Sequence, residues 1–428
     1  MKILVVTDVL WRDDNGVGNS YSNIFRAFPD ATIANVCCQQ GVSKNNVVET
    51  CFQISENALI RNLKNKQSPT GRVEEKQEEK AVAEASGGLI EMAKKSRLQI
   101  FFWLRNFIWK IGKWKSQELR DFIDDFQPDF IFAQLQDKIY LNNLVRYIKK
   151  YTDKPLCLYA WDDVYSLKQF SLSPLFWIDR FAQRRSIRKV VKQGEILYTI
   201  SQEQKTEYAK SLKVRTELLY KGYRFDGEYL PKERKENSPV KILYTGNLYS
   251  GRYGTLKRVC KALNHINQTE NKAELYIYSS TNLSSKQKAR LNAQRGTHFV
   301  GKTTESEVQK LQKEADVLLH IEPFSLKGSL LCRLSFSTKL VDYFHNQKCI
   351  FAVGHKRCAS MGYLKRFEAA KTVEKKKGVE EALESLIESL EERNAWAQKA
   401  WECGCNNHQI EDIQNRLIQD FDGLKKTR

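Results

Sequence analysis

Short runs of apolar residues alternate with longer polar and amphipathic segments along most of the chain. Consecutive apolar residues of this kind are typical of strands that are buried on both faces of a parallel sheet. In the first half of the chain, such runs occupy residues 2–7, 31–36, 130–133, 155–160 and 196–200. Parallel strands need crossover segments between them, usually helices, so this order predicts an α/β fold with helices on both faces of a mainly parallel sheet.

The alternation returns in the second half, with apolar runs at 240–245, 315–319 and 348–354. A chain of 428 residues is long for one hydrophobic core, so two domains are expected. Hydrophobic residues make up 41% of the sequence, which is enough to build globular cores.

Segment 335–344 carries the strongest chemical signal. It predicts a loop and then a helix that opens at Ser337 or Thr338, both of which are good capping residues. The first N–H groups of a helix and the nearby Lys339 together form an anion site. Asp342 lies one turn further on, where a carboxylate can accept hydrogen bonds from a ribose. A nucleotide-sugar site needs this combination, although an ordinary strand–helix unit with a capped helix also explains the segment.

The same segment resembles a known family. Retaining glycosyltransferases of the GT-B architecture carry a Ser-x-Lys-Leu-x-Glu-Tyr motif at the donor site, and residues 337–343 are Ser-Thr-Lys-Leu-Val-Asp-Tyr, with Asp in place of Glu. The preceding pieces of that family also occur in order, at 299–301, 307–311 and 315–319. The chain is therefore similar to family 4, or group 1, glycosyltransferases. The resemblance implies two Rossmann-like, doubly wound domains that face a cleft.

The resemblance also implies where the domains divide. Residues 1–220 are expected to form an N-terminal acceptor-side domain, and residues 221–395 a nucleotide-sugar-binding domain. Residues 396–428 are expected to supply a helix that returns to the N-terminal domain. The polar stretch 231–239 is the expected linker.

The donor cations follow from the same resemblance. Relatives place a Gly-Arg-Leu turn after the first strand of the second domain and a lysine shortly after it, and these two cations hold the donor diphosphate. Here the Arg position of the turn is Asn247, and Arg252 stands near the lysine position. The resemblance implies that Arg252 and Lys339 are catalytic because they stabilise the leaving diphosphate. The other donor-binding candidates around this turn are Gly246, Asn247 and Lys257.

The family also has two acids at the donor site. Asp342 matches the later one, but Leu334 occupies the place of the earlier one. Glu322 lies before this loop and either substitutes for the missing acid or faces solvent. Ser337, Thr338, Asp342 and Glu322 complete the donor-binding candidates.

The acceptor side is expected at residues 161–163, which follow a predicted strand. Many relatives have a His-Asp pair here, and Trp161 in the histidine place puts the role of that histidine in doubt. Asp162 is the catalytic candidate: it either binds acceptor hydroxyls or acts as a base, or it simply caps the next helix. A glycine-containing loop with Gly16 and Gly18 is expected to face the cleft, and a flexible turn is the alternative.

Two segments break the regular pattern. Residues 61–90 are polar, charged and poor in aromatic residues, so they are expected to form a solvated insertion, with a lid over the acceptor as the alternative. Residues 94–115 combine Lys and Arg with Trp and Phe in a predicted helix. This composition suits a helix that lies in an anionic membrane interface, but it also suits a helix packed on the sheet.

Charge and cysteine content limit the partners and the location. The net charge of +19 favours an anionic partner, namely a phosphate substrate, an acidic membrane or nucleic acid. No nucleic-acid motif is evident, so no nucleic-acid partner is expected. No paired-acid metal motif is evident either, so we expect no metal and no cofactor apart from the nucleotide-sugar substrate. Ten cysteines without a signal-peptide pattern indicate free thiols in the cytoplasm, with the inner face of the plasma membrane as a peripheral location.

These observations predict a glycosyltransferase of the hexosyltransferase type in the synthesis of cell-surface polysaccharide or lipid-linked glycans. The expected partners are a nucleotide-sugar donor and a saccharide or lipid-linked acceptor. Two alternatives remain. One is a nucleotide-sugar epimerase of the same fold, although the six histidines are sparse near the predicted site. The other is a non-catalytic basic protein that binds membranes or nucleic acid.

Overall fold

The computed structural model describes residues 1–26, 28, 31–74, 99–233 and 239–426. These residues form two sheets of mainly parallel strands, with helices packed on both faces of each sheet.

The first sheet is built from the N-terminal half of the chain. Its strands are β1 (Lys2–Thr7), β2 (Thr32–Cys37), β3 (Thr50–Ile54), β4 (Gly71–Val73), β5 (Phe130–Gln134), β6 (Leu156–Ala160), β7 (Ile196–Thr199) and β8 (Thr216–Leu218). Within the described residues the order across the sheet is β4-β3-β2-β1-β5-β6-β7-β8, and only β3 and β4 pair antiparallel. The central strands β1, β5, β6 and β7 are almost entirely buried, as their uninterrupted apolar sequences predict.

The second sheet is built from the C-terminal half. Its strands are β9 (Val240–Thr245), β10 (Ala273–Tyr278), β11 (Thr297–Gly301), β12 (Val317–Ile321), β13 (Cys349–Val353) and β14 (Lys371–Val373). Across residues 239–426 the strand order is β11-β10-β9-β12-β13-β14, and all pairs are parallel.

Helices connect the strands. In the first half, the described helices are α1 (Gly16–Phe25), α2 (Glu56–Lys64), α3 (Gln99–Ile111), α4 (Gln117–Phe126), α5 (Ile139–Thr152), α6 (Pro174–Val191) and α7 (Gln202–Leu212). In the second half they are α8 (Arg252–Ile266), α9 (Ser285–Asn292), α10 (Glu305–Glu314), α11 (Leu326–Leu331), α12 (Lys339–His345), α13 (Ala359–Arg366), α14 (Val379–Glu388), α15 (Leu390–Asn407) and α16 (Ile410–Lys426).

The strand orders locate the crevices where ligands bind. The direction in which successive strands are added reverses between β1 and β5 in the first sheet, and between β9 and β12 in the second. Ligands of open α/β sheets bind beyond the carboxyl ends of the strands at such switch points. The residues that follow Thr7, Gln134, Thr245 and Ile321 therefore line the expected site.

The C-terminal helix joins the two halves. In α16, Gln414 donates a hydrogen bond to the carbonyl oxygen of Ile24 at 3.3 Å, and the ring of Phe421 stacks on Phe130 at 4.8 Å. One hydrophobic cluster runs from the first sheet through Leu219 and Phe225 to the second sheet. The two halves therefore share buried apolar contacts besides the cleft.

The residues 16–18 that were expected to form a loop are instead the first turn of a helix, although Gly16 does face the cleft. Helix α1 begins at Gly16, and the side chain of Asn15 caps it by accepting a hydrogen bond from the N–H of Gly18 at 2.8 Å. A Cβ atom at Gly18 would lie 2.2 Å from the carbonyl oxygen of Arg12. A glycine is therefore needed at position 18 for close packing of backbone rather than for a flexible turn.

The two irregular segments are structured in part. Residues 61–64 end α2 and residues 71–73 form β4, so the start of the predicted insertion belongs to the sheet; residues 75–90 lie outside the described residues. The predicted helix 94–115 appears as α3, and residues 94–98 lie outside the described part. Among the helices that the structure describes, none has the length and apolarity needed to cross a membrane.

Candidate active site

Two cavities lie in the cleft between the carboxyl edges of the two sheets, and residues from both halves line each of them. The first, which we name the lysine cavity, has a volume of about 710 Å³ and contains Lys339. The second, which we name the arginine cavity, has a volume of about 680 Å³ and contains Arg252.

Lys339 begins helix α12 and points into the lysine cavity. Its Nζ donates a hydrogen bond to the carbonyl oxygen of Thr245 at 3.0 Å, at the end of β9. A Cβ atom at position 246 would lie 3.1 Å from this Nζ, so Gly246 leaves room for the ammonium group. The side chain is exposed to solvent through the cavity. The walls of the cleft still remove part of its hydration, and this lowers the pKa of Lys339 to about 8.

Arg252 lies at the start of α8 on the arginine cavity. Its Nη2 donates to Oε2 of the buried Glu322 at 2.9 Å and also contacts Sγ of Cys332 at 3.5 Å. Gly251 precedes it with φ +93°, a left-handed conformation that suits glycine, and this turn starts the helix. Although burial alone would lower it, the Glu322 carboxylate holds the pKa of Arg252 above its usual value.

The two cations lie near each other although they line different cavities. After the loss of hydration, the Asp342 carboxylate is the larger influence on Lys339 and raises its pKa, and the positive charge of Arg252 is the smaller one and lowers it. Two like charges held close together repel, and an anion bound beside them relieves the repulsion. The geometry therefore favours an anion at the carboxyl ends of β9 and β12.

Glu322 does not face solvent. It follows β12, its side chain is buried, and it lies between Arg252 and His320, whose Nε2 is 3.5 Å from Oε1. Burial would raise the pKa of Glu322, but the hydrogen bonds and charges of His320 and Arg252 outweigh burial and lower it. The solvent-facing alternative was therefore wrong, and Glu322 forms a buried ion pair with Arg252.

Asp342 is paired with a residue that the sequence analysis missed. Its Oδ1 accepts a hydrogen bond from Nζ of Lys221 at 2.6 Å, and both residues line the lysine cavity. A carboxylate has several acceptor positions, so this pairing leaves capacity for sugar hydroxyls.

Helix α12 opens at Thr338, as predicted, but the predicted side-chain cap is not formed. Thr338 occupies the N-cap position, but its side chain makes no capping hydrogen bond and its backbone is helical. The N–H of Ser337 donates to Oγ of Ser360 at 3.0 Å. The helix has only seven residues, so Lys339 rather than the helix dipole is the main attraction for an anion here.

The remaining donor candidates divide by position. Gly246, Asn247 and Thr338 line the lysine cavity, as does Gly16 of the N-terminal half. Lys257 is exposed on α8 and lines neither cavity.

Asp162 and Asp163 have different environments. Asp162 lines the arginine cavity, and its Oδ1 accepts a hydrogen bond across the cleft from Oγ of Ser335 at 2.6 Å. Asp163 is buried, accepts from the N–H of Ser166 at 2.8 Å and pairs with Arg333 at 2.9 Å. Asp163 therefore holds the loop after β6 and an ion pair. Neither acid caps the next helix, because Ser173 is the N-cap of α6. Asp162 is available to a ligand.

Asp137 is a further residue of the arginine cavity that the sequence analysis missed. It follows β5, and solvent reaches it through the cavity. The surrounding protein raises its pKa, and nearby Asp162 adds to this, against the charges of Lys138 and Arg180. Its position just after a buried strand at the switch point was the signal that could have revealed it. Among the described residues, no group of three or more His, Cys, Asp or Glu side chains is arranged to hold a metal ion.

Comparison with known proteins gives structural relatives only. No protein-family model matches the sequence, and no curated protein matches it significantly. Anabaena HepE in complex with UDP and glucose superposes with a TM-score of 0.62 at 11% identity, covering 99% of this chain and 100% of that one. Sucrose-phosphate synthase from Thermosynechococcus elongatus has a TM-score of 0.62 at 11% identity, with 100% of both chains covered.

A third structure is WaaG, described as a glycosyltransferase involved in lipopolysaccharide biosynthesis. It has a TM-score of 0.60 at 13% identity, covering 97% of this chain and 98% of that one. Likeness over the full length at such low identity establishes the architecture: the chain has the GT-B fold, with two Rossmann-like, doubly wound halves that face a cleft.

Proposed function

We propose that this protein is a glycosyltransferase that moves a sugar from a nucleotide diphosphate sugar to an acceptor hydroxyl. The observation that carries the proposal is the convergence of Lys339 and Arg252 at the switch point of the second sheet. Nζ of Lys339 contacts a backbone carbonyl oxygen in the lysine cavity rather than a carboxylate oxygen, so a diphosphate bound there would supply a direct counter-charge.

The comparisons support the same activity. HepE has been crystallised with UDP and with UDP-glucose, and the Escherichia coli trehalose-6-phosphate protein with UDP-2-fluoro glucose; its TM-score to this chain is 0.62. These are properties of those proteins. For this chain we infer a retaining, family 4-like hexosyltransferase, with a uridine nucleotide as the first donor to test.

The proposed mechanism is electrostatic. As the bond between the sugar and the diphosphate breaks, negative charge grows on the leaving phosphate oxygens. Lys339 and the guanidinium N–H groups of Arg252 that Glu322 does not use would stabilise that charge. Asp342, held by Lys221, would accept hydrogen bonds from the ribose. Thr338 and Asn247, which line the lysine cavity, would contact the nucleotide, and the proposed mechanism uses no metal ion.

The arginine cavity is the proposed acceptor site. Asp162 and Asp137 both line it, and carboxylates are good acceptors for sugar hydroxyls. We infer an acceptor on a growing cell-surface polysaccharide or a lipid-linked glycan, and a location in the cytoplasm or at the inner face of the plasma membrane, with peripheral contact through 94–115.

A thermal-shift panel tests the proposal. UDP, GDP, ADP and CMP would be added to the wild type, to Lys339→Ala and to Arg252→Ala. We expect one nucleoside diphosphate to stabilise the wild type, by about 2.7 kcal/mol at a concentration 100 times its Kd, and both variants to lose the effect. Absence of stabilisation by every nucleotide, with a folded wild type, would overturn the proposed activity.

A further inference from the structure

Large exposed apolar residues concentrate on two segments of the N-terminal half, α3 and residues 167–181. On α3 they are Phe102, Trp103, Leu104, Phe107 and Ile111. On the second segment they are Leu167, Phe170, Leu172, Leu175, Ile178 and Phe181. We name this set the apolar rim. Single exposed apolar residues are normal on a protein surface, but clusters of this size mark interaction sites.

Buried polar contacts fix the orientation of α3. Arg105 faces the protein, where it pairs with Glu56, and its guanidinium lies 4.5 Å from the ring centre of Tyr140. On the same side, Nε1 of the buried Trp109 donates to Oε1 of Glu56 at 2.9 Å. The helix therefore places its arginine inward and Trp103, Leu104 and Phe107 outward. An ordinary surface helix of a globular protein does the opposite: its apolar residues face the core and its charged residues face solvent.

The second segment is held in a similar way. The buried Arg180 of α6 donates to the carbonyl oxygens of Asp163 and Ser166, both at 2.9 Å. Because these contacts hold one side of α6 against the protein, Leu175 and Ile178 lie on the opposite, exposed side. Leu172, in the loop before α6, is 87% exposed. Nothing in the sequence pattern singled out this segment.

The two segments meet at the arginine cavity. Phe102 and Asn106 of α3 line one side of it, and Gln169 and Phe176 of the second segment line another. Both α3 and α6 also pack against α5, which lies between them. Both segments that carry the apolar rim therefore border the arginine cavity, which is the proposed acceptor site.

The exposed charges on the two segments are all basic. Residues 99–115 contain no acidic residue, and residues 166–185 contain one, Asp179, which is buried. The exposed basic residues are Lys110, Lys113, Lys115, Lys168 and Arg185. Aromatic and aliphatic side chains surrounded by cations match the boundary of an anionic bilayer, where the apolar groups enter the acyl region and the cations meet the headgroups.

From these observations we propose that the apolar rim docks onto an anionic membrane surface and presents the arginine cavity to acceptors carried on lipid. The docking stands on the surface geometry alone. The lipid-borne acceptor rests on the proposed function, since it requires the arginine cavity to be the acceptor site.

Vesicle co-sedimentation at low salt tests the docking. One set of vesicles is phosphatidylcholine with 30% phosphatidylglycerol, on the order of the anionic content that attracts basic surfaces, and the other is phosphatidylcholine alone. We expect the wild type to bind the anionic vesicles. Two double variants, Trp103→Ser/Phe107→Ser and Leu172→Ser/Ile178→Ser, should each lower the partition coefficient about tenfold or more. Lys110→Gln/Lys113→Gln should weaken binding to the anionic set.

A matched control uses exposed apolar residues elsewhere. Leu230→Ser/Val300→Ser removes side chains of comparable exposure outside the apolar rim and should sediment like the wild type. Failure of the wild type to bind anionic vesicles, or wild-type binding by both rim variants, would overturn the proposal. The wild type could instead fail to bind vesicles and form a dimer in light scattering that is lost only in the rim variants. That result would identify the apolar rim as a self-association surface.

A nucleotide measurement separates this proposal from the proposed function. Rim variants should keep the UDP-induced thermal shift of the wild type, because no rim substitution touches the lysine cavity. Vesicle binding without any nucleotide binding would leave the docking in place and remove the glycosyltransferase. Nucleotide binding without vesicle binding would leave the glycosyltransferase proposal in place and remove the membrane docking.

Discussion

The two cavities of the cleft differ in how their cations are held. In the lysine cavity, Nζ of Lys339 contacts a backbone carbonyl, and its pKa is lowered to about 8. In the arginine cavity, Arg252 is neutralised by the buried Glu322, and its pKa is raised. A bound anion would stabilise the charged form of Lys339 directly, because its hydrogen-bond acceptor is a neutral carbonyl. Arg252 would share its charge between a bound anion and the Glu322 carboxylate.

The resemblance implied the same role for Lys339 and Arg252, but this difference separates ligand binding from support of the fold. Lys339 can contribute to ligand binding with little role in the fold. Arg252 has a structural role in compensating Glu322, and it serves a ligand with the N–H groups that remain. The variants below test that separation, from the largest expected effect to the smallest.

Replacing Lys339 by methionine should have the largest effect on activity. The stem of the side chain is kept while the charge is lost, so we expect turnover to fall about 100-fold to 1,000-fold, or about 3–4 kcal/mol of transition-state stabilisation. The melting temperature should stay close to that of the wild type, because the lost hydrogen bond is only to Thr245. A sugar-transfer assay measures turnover, a thermal melt measures the melting temperature, and calorimetric titration measures the affinity for UDP. Wild-type nucleotide affinity in this variant would remove Lys339 from the site.

Replacing Arg252 by alanine should affect the fold as well as the ligand. It leaves the Glu322 carboxylate buried with only His320 beside it, so we expect a loss of about 3 kcal/mol in the free energy of unfolding. Adding Glu322→Gln to Arg252→Ala removes the uncompensated charge and should restore most of that loss without restoring turnover. Urea denaturation of the single and double variants checks this. Equal stability of Arg252→Ala and the wild type would show that the ion pair is not structural.

Much of the fold was predictable from the sequence, since buried parallel strands have a simple pattern. The runs at β1, β5, β6 and β9 marked the strands, and β9 and β12 end next to Arg252 and Glu322 as the motif order implied. The pairs that set the electrostatics were not predictable. Lys221 and Asp342 are 121 residues apart, and Arg333 and Asp163 are 170 apart, so no local pattern connects them.

The sequence also did not predict which face of helix α3 is buried. Hydrophobic periodicity placed Phe107 and Ile111 on one face of a helix but could not decide which face is buried. Which face is buried depends on Arg105, because it pairs with Glu56, a residue 49 positions away in the sequence. Likewise, the side chain of Thr338 does not cap α12, because the backbone of Thr338 is already helical. The preceding loop sets this conformation, and residue preferences at the N-cap do not predict it.

The lowered pKa of Lys339 predicts a pH dependence. In the free protein the ammonium group loses its proton as the pH rises through about 8. A bound diphosphate favours the charged form and raises that pKa, so the complex holds more protons than the free protein above pH 8. Diphosphate affinity should therefore fall with rising pH, by about tenfold per unit at most.

Calorimetry in two buffers with different heats of ionisation measures the protons taken up. We expect uptake near zero at pH 7 and a clear rise between pH 8 and 9, above the pKa of about 8. Lys339→Met is the control, since it has no group to titrate there. A flat affinity over this range in the wild type would mean that the ammonium is not in contact with the diphosphate.

The smallest effect is expected at Lys257, which the resemblance placed among the donor residues. It is exposed on α8, five positions beyond Arg252, and lines neither cavity. Alanine at this position should therefore change UDP affinity and stability by no more than about 0.5 kcal/mol. The comparison with Lys339→Met is informative because both variants remove one unit of charge from a basic protein. If general positive charge attracted the nucleotide, the two would weaken binding alike; a local anion site requires that only Lys339 matters.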